Sequence, residues 1–285
     1  MLDLLKKSAT CAFAIISVVF TFVPENLFGK VKLISKDLMD SINLGSYTEE
    51  INATLIRVFV FIEIFLIVVG VYKLYLLVRK KVSIKGNNYE ITVEYGDILK
   101  TKKCKRVINF DECFTTNVGD APADIKANSI CGQYLKNNPN LDIKSLIANS
   151  QLKPLNSKSK YQSKERYESG RIVSNGDELL LAFAQLDENG LGRFFARDEY
   201  LKCLSVLWEE IDMYYGQQDV CVPILGAGIT RFEGYSGASI PKQELLDMMI
   251  WSYRLSSHKI KSPYKLRIIC KKASDFSLDR IDFKN

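Results

Sequence analysis

Histidine is almost missing from this chain: His258 is the sole one in 285 residues. The seven cysteines stand at 11, 104, 113, 131, 203, 221 and 270, and no two have Cys-x-x-Cys spacing. One histidine and scattered thiols argue against a zinc site. An odd count without a framework spacing argues against a disulfide-stapled domain. Cys203 lies in a helical pattern and Cys221 and Cys270 in strand patterns, as reduced core thiols do in a cytosolic domain. The net charge of +6 is mild, and no basic stripe interleaved with aromatics runs through the sequence. A nucleic-acid partner is therefore not expected. Long apolar runs are also missing after residue 80, although they dominate before it.

What is present divides at that point. Residues 8–24 carry no charge, and residues 53–78 are longer and very apolar, with Arg57 and Lys73 near the ends where they can snorkel. Two transmembrane helices fit, at about 8–28 and 53–78, in a membrane region spanning 1–81. The rival reading of the first run, a cleaved signal peptide, lacks a small-x-small cleavage site after the apolar stretch. Lys6 and Lys7 precede the first run, and Arg79, Lys80, Lys81 and Lys85 follow the second. By the positive-inside rule this favours two passes with both termini in the cytoplasm. Glu63 falls well inside the second run, where an ionised carboxylate is costly. Two readings stand: structural glue, protonated or paired with the first span, or a polar contact between copies or toward a pore.

Residues 82–285 read as a soluble domain of alternating elements. Strands are expected at 88–98, 104–110, 178–187, 220–225 and 265–270, with a short helix around 130–135. Residues 151–176 read as a long polar surface segment. Residues 197–216 form the clearest helix, with Leu201, Leu204, Trp208, Ile211 and Tyr215 on one face and Gly216 closing it. Pro241 suits the first position of a further helix, whose stripe is Leu245, Leu246, Met249 and Ile250. Helices alternating with apolar strands indicate an α/β layer fold.

One stretch carries more than architecture. In "VCVPILGAGITRF", residues 220–232, a buried strand runs straight into Gly226-Ala227-Gly228. A tight turn is the plain explanation of the two glycines. A close approach of phosphate to the backbone is the sharper one.

Pro223, Gly226, Gly228 and Phe232 together resemble the second ligand loop of macro domains, modules that bind ADP-ribose and its derivatives. "VEYGDI" resembles that family's first strand, "RVINF" its next, and Pro241-Lys242 the start of the helix after the loop. The resemblance covers most of residues 88–270 and implies a three-layer α/β/α domain with a mixed sheet. It implies that Asp97, beside Ile98, accepts from the adenine amino group and that Asn109 lies near the distal ribose. It implies that Gly226, Ala227, Gly228 and Ile229 cradle a pyrophosphate and that Phe232 covers the distal ribose. "NSICGQYL" would supply a phosphate-facing turn from Ser129 to Gly132.

The departures matter too. Hydrolytic macro domains carry Asn-Ala-Ala-Asn after the second strand and then a glycine-dense loop. Here "NFDECFTTNVGD" puts Glu112 in place of the second Asn and lacks the glycine run. The reading is therefore a sensor without catalytic residues, metal or cofactor. Asp111 and Glu112 keep a membrane-tethered ADP-ribosyl hydrolase as the alternative, since a carboxylate there could activate a water; the plainer reading of both is a solvated turn. Two N-terminal spans ahead of a divergent macro domain resemble the membrane effector of type II Thoeris antiphage systems. That resemblance implies a bacterial inner-membrane protein that forms homo-oligomers. It implies a TIR-domain partner that makes the signal from NAD, an ADP-ribose derivative with amino-acid and imidazole conjugates among the candidates, and membrane disruption leading to cell death. A third reading is a structural membrane protein in which Gly-Ala-Gly is only a turn.

Overall fold

The computed structural model describes residues 2–23, 32–194, 197–228, 231–232, 240–272 and 276–281. The chain divides into two compact units, residues 1–79 and 80–285.

In the first unit, α1 (Leu2–Phe22) packs on α3 (Thr48–Val78), with the short α2 (Lys36–Ser41) in the connection. Ser8, Ala12 and Ile16 recur every four residues on one buried face of α1. Phe13 meets Phe61 edge to face at 5.2 Å. The hydroxyls of Thr10, Ser17 and Thr21 donate to the carbonyls four residues earlier. They are satisfied inside the helix, as an apolar surrounding requires. Asn52 staples the connection to α3: its Oδ1 accepts from the Leu33 and Ile34 amides, and its Nδ2 donates to the Ile34 carbonyl.

With 31 residues, α3 is about 46 Å long, enough to cross a bilayer. Among the described residues it belongs to the one helix that is long and apolar enough to do so. The apolar part of α1, Ser8–Phe22, is shorter. The helix also ends before the expected boundary, and residues 24–28 of that span lie outside the described residues. Phe22, Val58, Leu66, Ile67, Leu74 and Leu77 present apolar side chains outward.

The second unit is built on nine strands among the described residues. These are β1 (Lys81–Gly86), β2 (Tyr89–Tyr95), β3 (Cys104–Asp111), β4 (Ile172–Asn175), β5 (Glu178–Leu186), β6 (Gly192–Phe194), β7 (Asp219–Pro223), β8 (Arg231–Phe232) and β9 (Leu266–Cys270). The sheet order is β1-β2-β9-β7-β3-β5-β6-β8, with β4 alongside β5. Strands β2, β9, β7, β3 and β5 run parallel, β1 pairs antiparallel with β2, β4 and β6 pair antiparallel with β5, and β8 runs parallel to β6. The sheet is thus mixed, and the five parallel strands end along one edge.

Alternating side chains feed two cores. Val107, Leu179, Val222 and Ile268 face α6 (Arg197–Tyr214) and α7 (Lys242–Leu255), where Trp208, Leu204, Met249 and Ile250 are buried. Ile108, Phe110, Leu180 and Ala182 face α4 (Ile130–Asn137) and α5 (Ile143–Asn149) on the other side. Three α/β/α layers result. Each fully buried Leu, Ile or Phe contributes roughly 1.5–3 kcal/mol, so the two faces carry most of the stability.

The elements differ from the sequence reading in places. On α6, Leu204, Trp208 and Ile211 are buried as expected, whereas Leu201 is exposed and Tyr200, Cys203 and Leu207 join the buried face. Pro241 is the N-cap of α7, one place before its first helical residue. Residues 151–171 are irregular, yet Ser159 and Tyr167 in them are buried. The expected surface segment is therefore anchored at these points.

Candidate functional site

The site begins where the parallel strands end, the usual place for ligands in open α/β sheets. A cavity of about 480 Å³ lies there. Its wall runs from Gly96–Leu99 and Ile269–Lys272, past Pro223, Ile224 and Gly226–Gly228, to Asn109–Asp111 and Gly190–Gly192.

The Gly226 turn is held from behind. The Tyr200 hydroxyl donates to the Leu225 carbonyl at 3.1 Å, and the Leu225 amide donates to Met249 Sδ at 3.4 Å. Gly226 then turns the chain at φ +81°. A Cβ on it would lie 3.1 Å from the Phe232 ring. Gly228 differs: among the described residues a Cβ there would meet nothing within 4 Å. It lines the cavity, and no described packing neighbour requires its small size.

Opposite this turn, α4 presents its N-terminus. Ser129 caps the helix by accepting from the Gly132 amide at 3.0 Å. The Ile130 and Cys131 amides occupy the first two helical positions, where no intrahelical acceptor exists. Both residues line the cavity, and a helix N-terminus attracts anions. Lys126, Lys242, Lys271 and Lys272 also border it, with Asp97, Asp111 and Asp124. Asp124 is used within its own loop, by Asn117 Nδ2 and the Ala121 amide. At the β2 end, Asp97 Oδ1 caps the Leu99 amide at 3.1 Å, and Oδ2 lies 3.8 Å from Lys100 Nζ.

The structure brings Asp97, Ile98, Asn109, Ser129, Gly226, Ala227 and Gly228 to one cavity. Gly132 is not on its wall. A Cβ there would lie 2.2 Å from the Lys126 carbonyl oxygen, so its role is packing beneath the preceding loop. Phe232 is buried and stacked on Phe194, with Tyr200 edge-on; it supports the glycine turn from below and does not line the cavity. Ile229 lies outside the described residues. The sequence reading spanned Ile130 and Cys131 within the Ser129–Gly132 turn without singling them out, and it gave no ligand role to the four lysines. Ser129 directly before a helical pattern was the signal for the first two.

The two carboxylates weighed for hydrolysis are engaged elsewhere. Glu112 is buried and does not line the cavity. Its Oε1 accepts from Ser159 Oγ at 2.8 Å and the Leu186 amide at 3.0 Å, and its Oε2 from Arg166 Nη1 at 3.2 Å. It is not a solvated turn residue; it ties residues 157–167 to the sheet. Asp111 is half-buried at the cavity wall, but its oxygens accept from the Cys113 and Thr115 amides and the Thr115 hydroxyl. Burial pushes its carboxyl up, and the bonds from Thr115 and Cys113 only partly offset this. The cavity thiols Cys131 and Cys270 are pushed up by burial as well, Cys270 to about 12. Neither is a ready thiolate nucleophile. No cluster of three or more His, Cys, Asp or Glu suited to a metal ion occurs among the described residues.

A mixed three-layer α/β/α sheet with a glycine turn and a helix N-terminus at one cavity is the arrangement of a macro domain. Residues 91–271 match the family model described as the macro domain of Thoeris protein ThsA, and the chain belongs to that family. It is similar to Thoeris protein ThsA of Bacillus amyloliquefaciens, 27% identical over 224 residues, covering 75% of this chain and 73% of the relative. Among solved structures it is similar to an Oceanobacillus iheyensis macrodomain with ADP. That match has 10% identity over 68% of this chain and 90% of the other, with a TM-score of 0.40. Membership assigns the chain to Thoeris antiphage defence as an effector with a ligand-binding macro domain.

Proposed function

We propose that residues 80–285 are the receptor for an ADP-ribose-derived signal and that its binding drives the N-terminal helices to disrupt the bacterial inner membrane. The observation that carries this reading is the cavity itself. Asp97 stands at one end as an acceptor for an adenine amino group, and Gly228 and the α4 N-terminus face a common space where a pyrophosphate fits. The lysines on the wall add to the attraction for a dianion.

The remaining steps follow from this role. A TIR-domain partner supplies the signal from NAD, as ADP-ribose or a conjugate of it. The chain crosses the membrane twice with both termini and the macro domain in the cytoplasm, and copies associate. Glu63 is exposed on α3 and faces such copies. Binding is favoured over hydrolysis because Glu112 is committed to Ser159, Leu186 and Arg166. The test is release of a trapped dye from liposomes carrying the full chain. ADP-ribose or an amino-acid conjugate should start release, and AMP should not. Release by none of them, from correctly inserted protein, would reject the reading.

A further inference from the structure

Tyr95 holds together two parts of the second unit that the proposed function needs to connect. Its amide donates to the Lys80 carbonyl at 3.0 Å. Lys80 follows Arg79, the C-cap of the apolar helix α3, so this bond lies two residues beyond the last helical residue, Val78. Tyr95 is also the last residue of β2, directly before Gly96 and Asp97 at the cavity wall. The Gly96 amide donates to the Cys270 carbonyl at 2.9 Å, and Cys270 is itself on the wall.

The side chain repeats the pattern. Lys272, another wall residue, places its ammonium over the Tyr95 ring, 5.7 Å from the centroid. The ring packs edge-on against Phe276 at 5.8 Å, and the hydroxyl accepts from the Leu278 amide at 3.3 Å. Among the described residues strand β1 has a neighbour on one side only, β2, so its register depends on that ladder. Tyr95 itself is not on the cavity wall. It is a positioning residue between the wall and the start of β1.

We propose that Tyr95 couples occupancy of the cavity to the strand that continues from α3, with Lys272 as the moving part. This rests on the reading of the cavity as a site for a phosphate-bearing nucleotide. The Lys272 ammonium has two mutually exclusive partners: the face of the Tyr95 ring when the cavity is empty, and the ligand's phosphates when it is filled. A ligand then orders Gly96–Leu99 by direct contact and at the same time removes the cation that steadies the Tyr95 ring. The hold of β2 on Lys80 and β1 loosens. Two arrangements with different contacts to the ligand are what a shift in equilibrium requires.

The experiment is amide hydrogen exchange on the full chain in liposomes, with ADP-ribose as the probe and calorimetry alongside. The expected signature has opposite signs in adjacent segments: slower exchange at 96–99 and faster exchange at 80–86, each by about tenfold. Tyr95→Leu should bind ADP-ribose at least as tightly as the parent, since the ring no longer competes for Lys272, and lose the change at 80–86. Tyr95→Phe, which keeps the ring face, should restore it. Binding heat with unchanged or slower exchange at 80–86 overturns the coupling and leaves the site reading standing. So does a Tyr95→Leu variant that still responds there. No binding heat overturns the site reading and this inference with it. The parent measurement decides the matter even if Tyr95→Leu does not fold.

Discussion

The Phe232 ring lies directly beneath Gly226, so close that a Cβ on the glycine would stand 3.1 Å from it. Gly226 also has φ +81°, a conformation that costs other residues. Gly226→Ala is therefore expected to destabilise the protein by about 1–2 kcal/mol. Thermal unfolding of the full chain in detergent checks this. An unchanged melting temperature would mean that the turn tolerates a side chain.

Glu112 is a structural anchor whose partners lie 47, 54 and 74 residues away along the chain. Glu112→Ala leaves Arg166 without its buried carboxylate and unpins Ser159. A loss of about 3–5 kcal/mol is expected, as for breaking a buried ion pair. Denaturant titration measures it. A fully stable variant that loses ADP-ribosyl hydrolysis would instead revive the enzyme reading.

Asp111 gives a pH dependence with a definite sign. Burial raises its carboxyl in the folded protein above the ordinary value near 4, so the folded state binds the proton more tightly. Its favourable contribution is present below the unfolded pKa and fades as pH rises through the folded one. Asp111→Asn removes that dependence while an amide oxygen can still accept from the Cys113 and Thr115 amides. The variant is expected to be more stable than the parent at pH 7 and flatter in profile just above pH 4. Unfolding midpoints from pH 4 to 8 decide this. A variant less stable than the parent at pH 7 would show that the charge itself is needed.

Glu63 is exposed on α3 with no ion pair among the described residues. Glu63→Ala should leave folding and ADP-ribose affinity unchanged and slow ligand-induced dye release by about tenfold or more, since a carboxylate kept in lipid is retained at a cost only where it acts. Release at the parent rate would remove the residue from the mechanism.

Much of this architecture could be read from the residues. The apolar runs that became β3, β5, β7 and β9 were plain, as were α6 and α7, because burial on both faces leaves long uninterrupted hydrophobic strings. Strand β1 was missed because Lys81, Ser83 and Lys85 alternate with Val82 and Ile84 on an edge strand, a pattern that also suits a linker. Strands β4, β6 and β8 have two to four residues each, too few for a period to show. Gly228, Asp97 and Asn109 were found by motif, and they meet at one cavity. Phe232 and Gly132 matched motifs equally well, but their surroundings come from Phe194 and Lys126, and tertiary packing of that kind leaves no local trace. Glu112 was misread for the same reason.

The central claim is that Gly228 and the α4 N-terminus form a phosphate cradle. Calorimetric titration of the full chain in detergent micelles with ADP-ribose, beside Gly228→Glu, tests it most directly. Among the described residues nothing lies within 4 Å of the Gly228 Cβ position, so the substitution is not expected to break the turn, and a thermal melt beside the titration checks this. The parent should bind with a Kd of about 1 µM or tighter, and the variant, with a carboxylate in the cradle, should lose at least about 100-fold. A folded parent that gives no binding heat, or a Gly228→Glu chain that binds as tightly as the parent, would contradict the claim and return Gly226-Ala227-Gly228 to a plain turn.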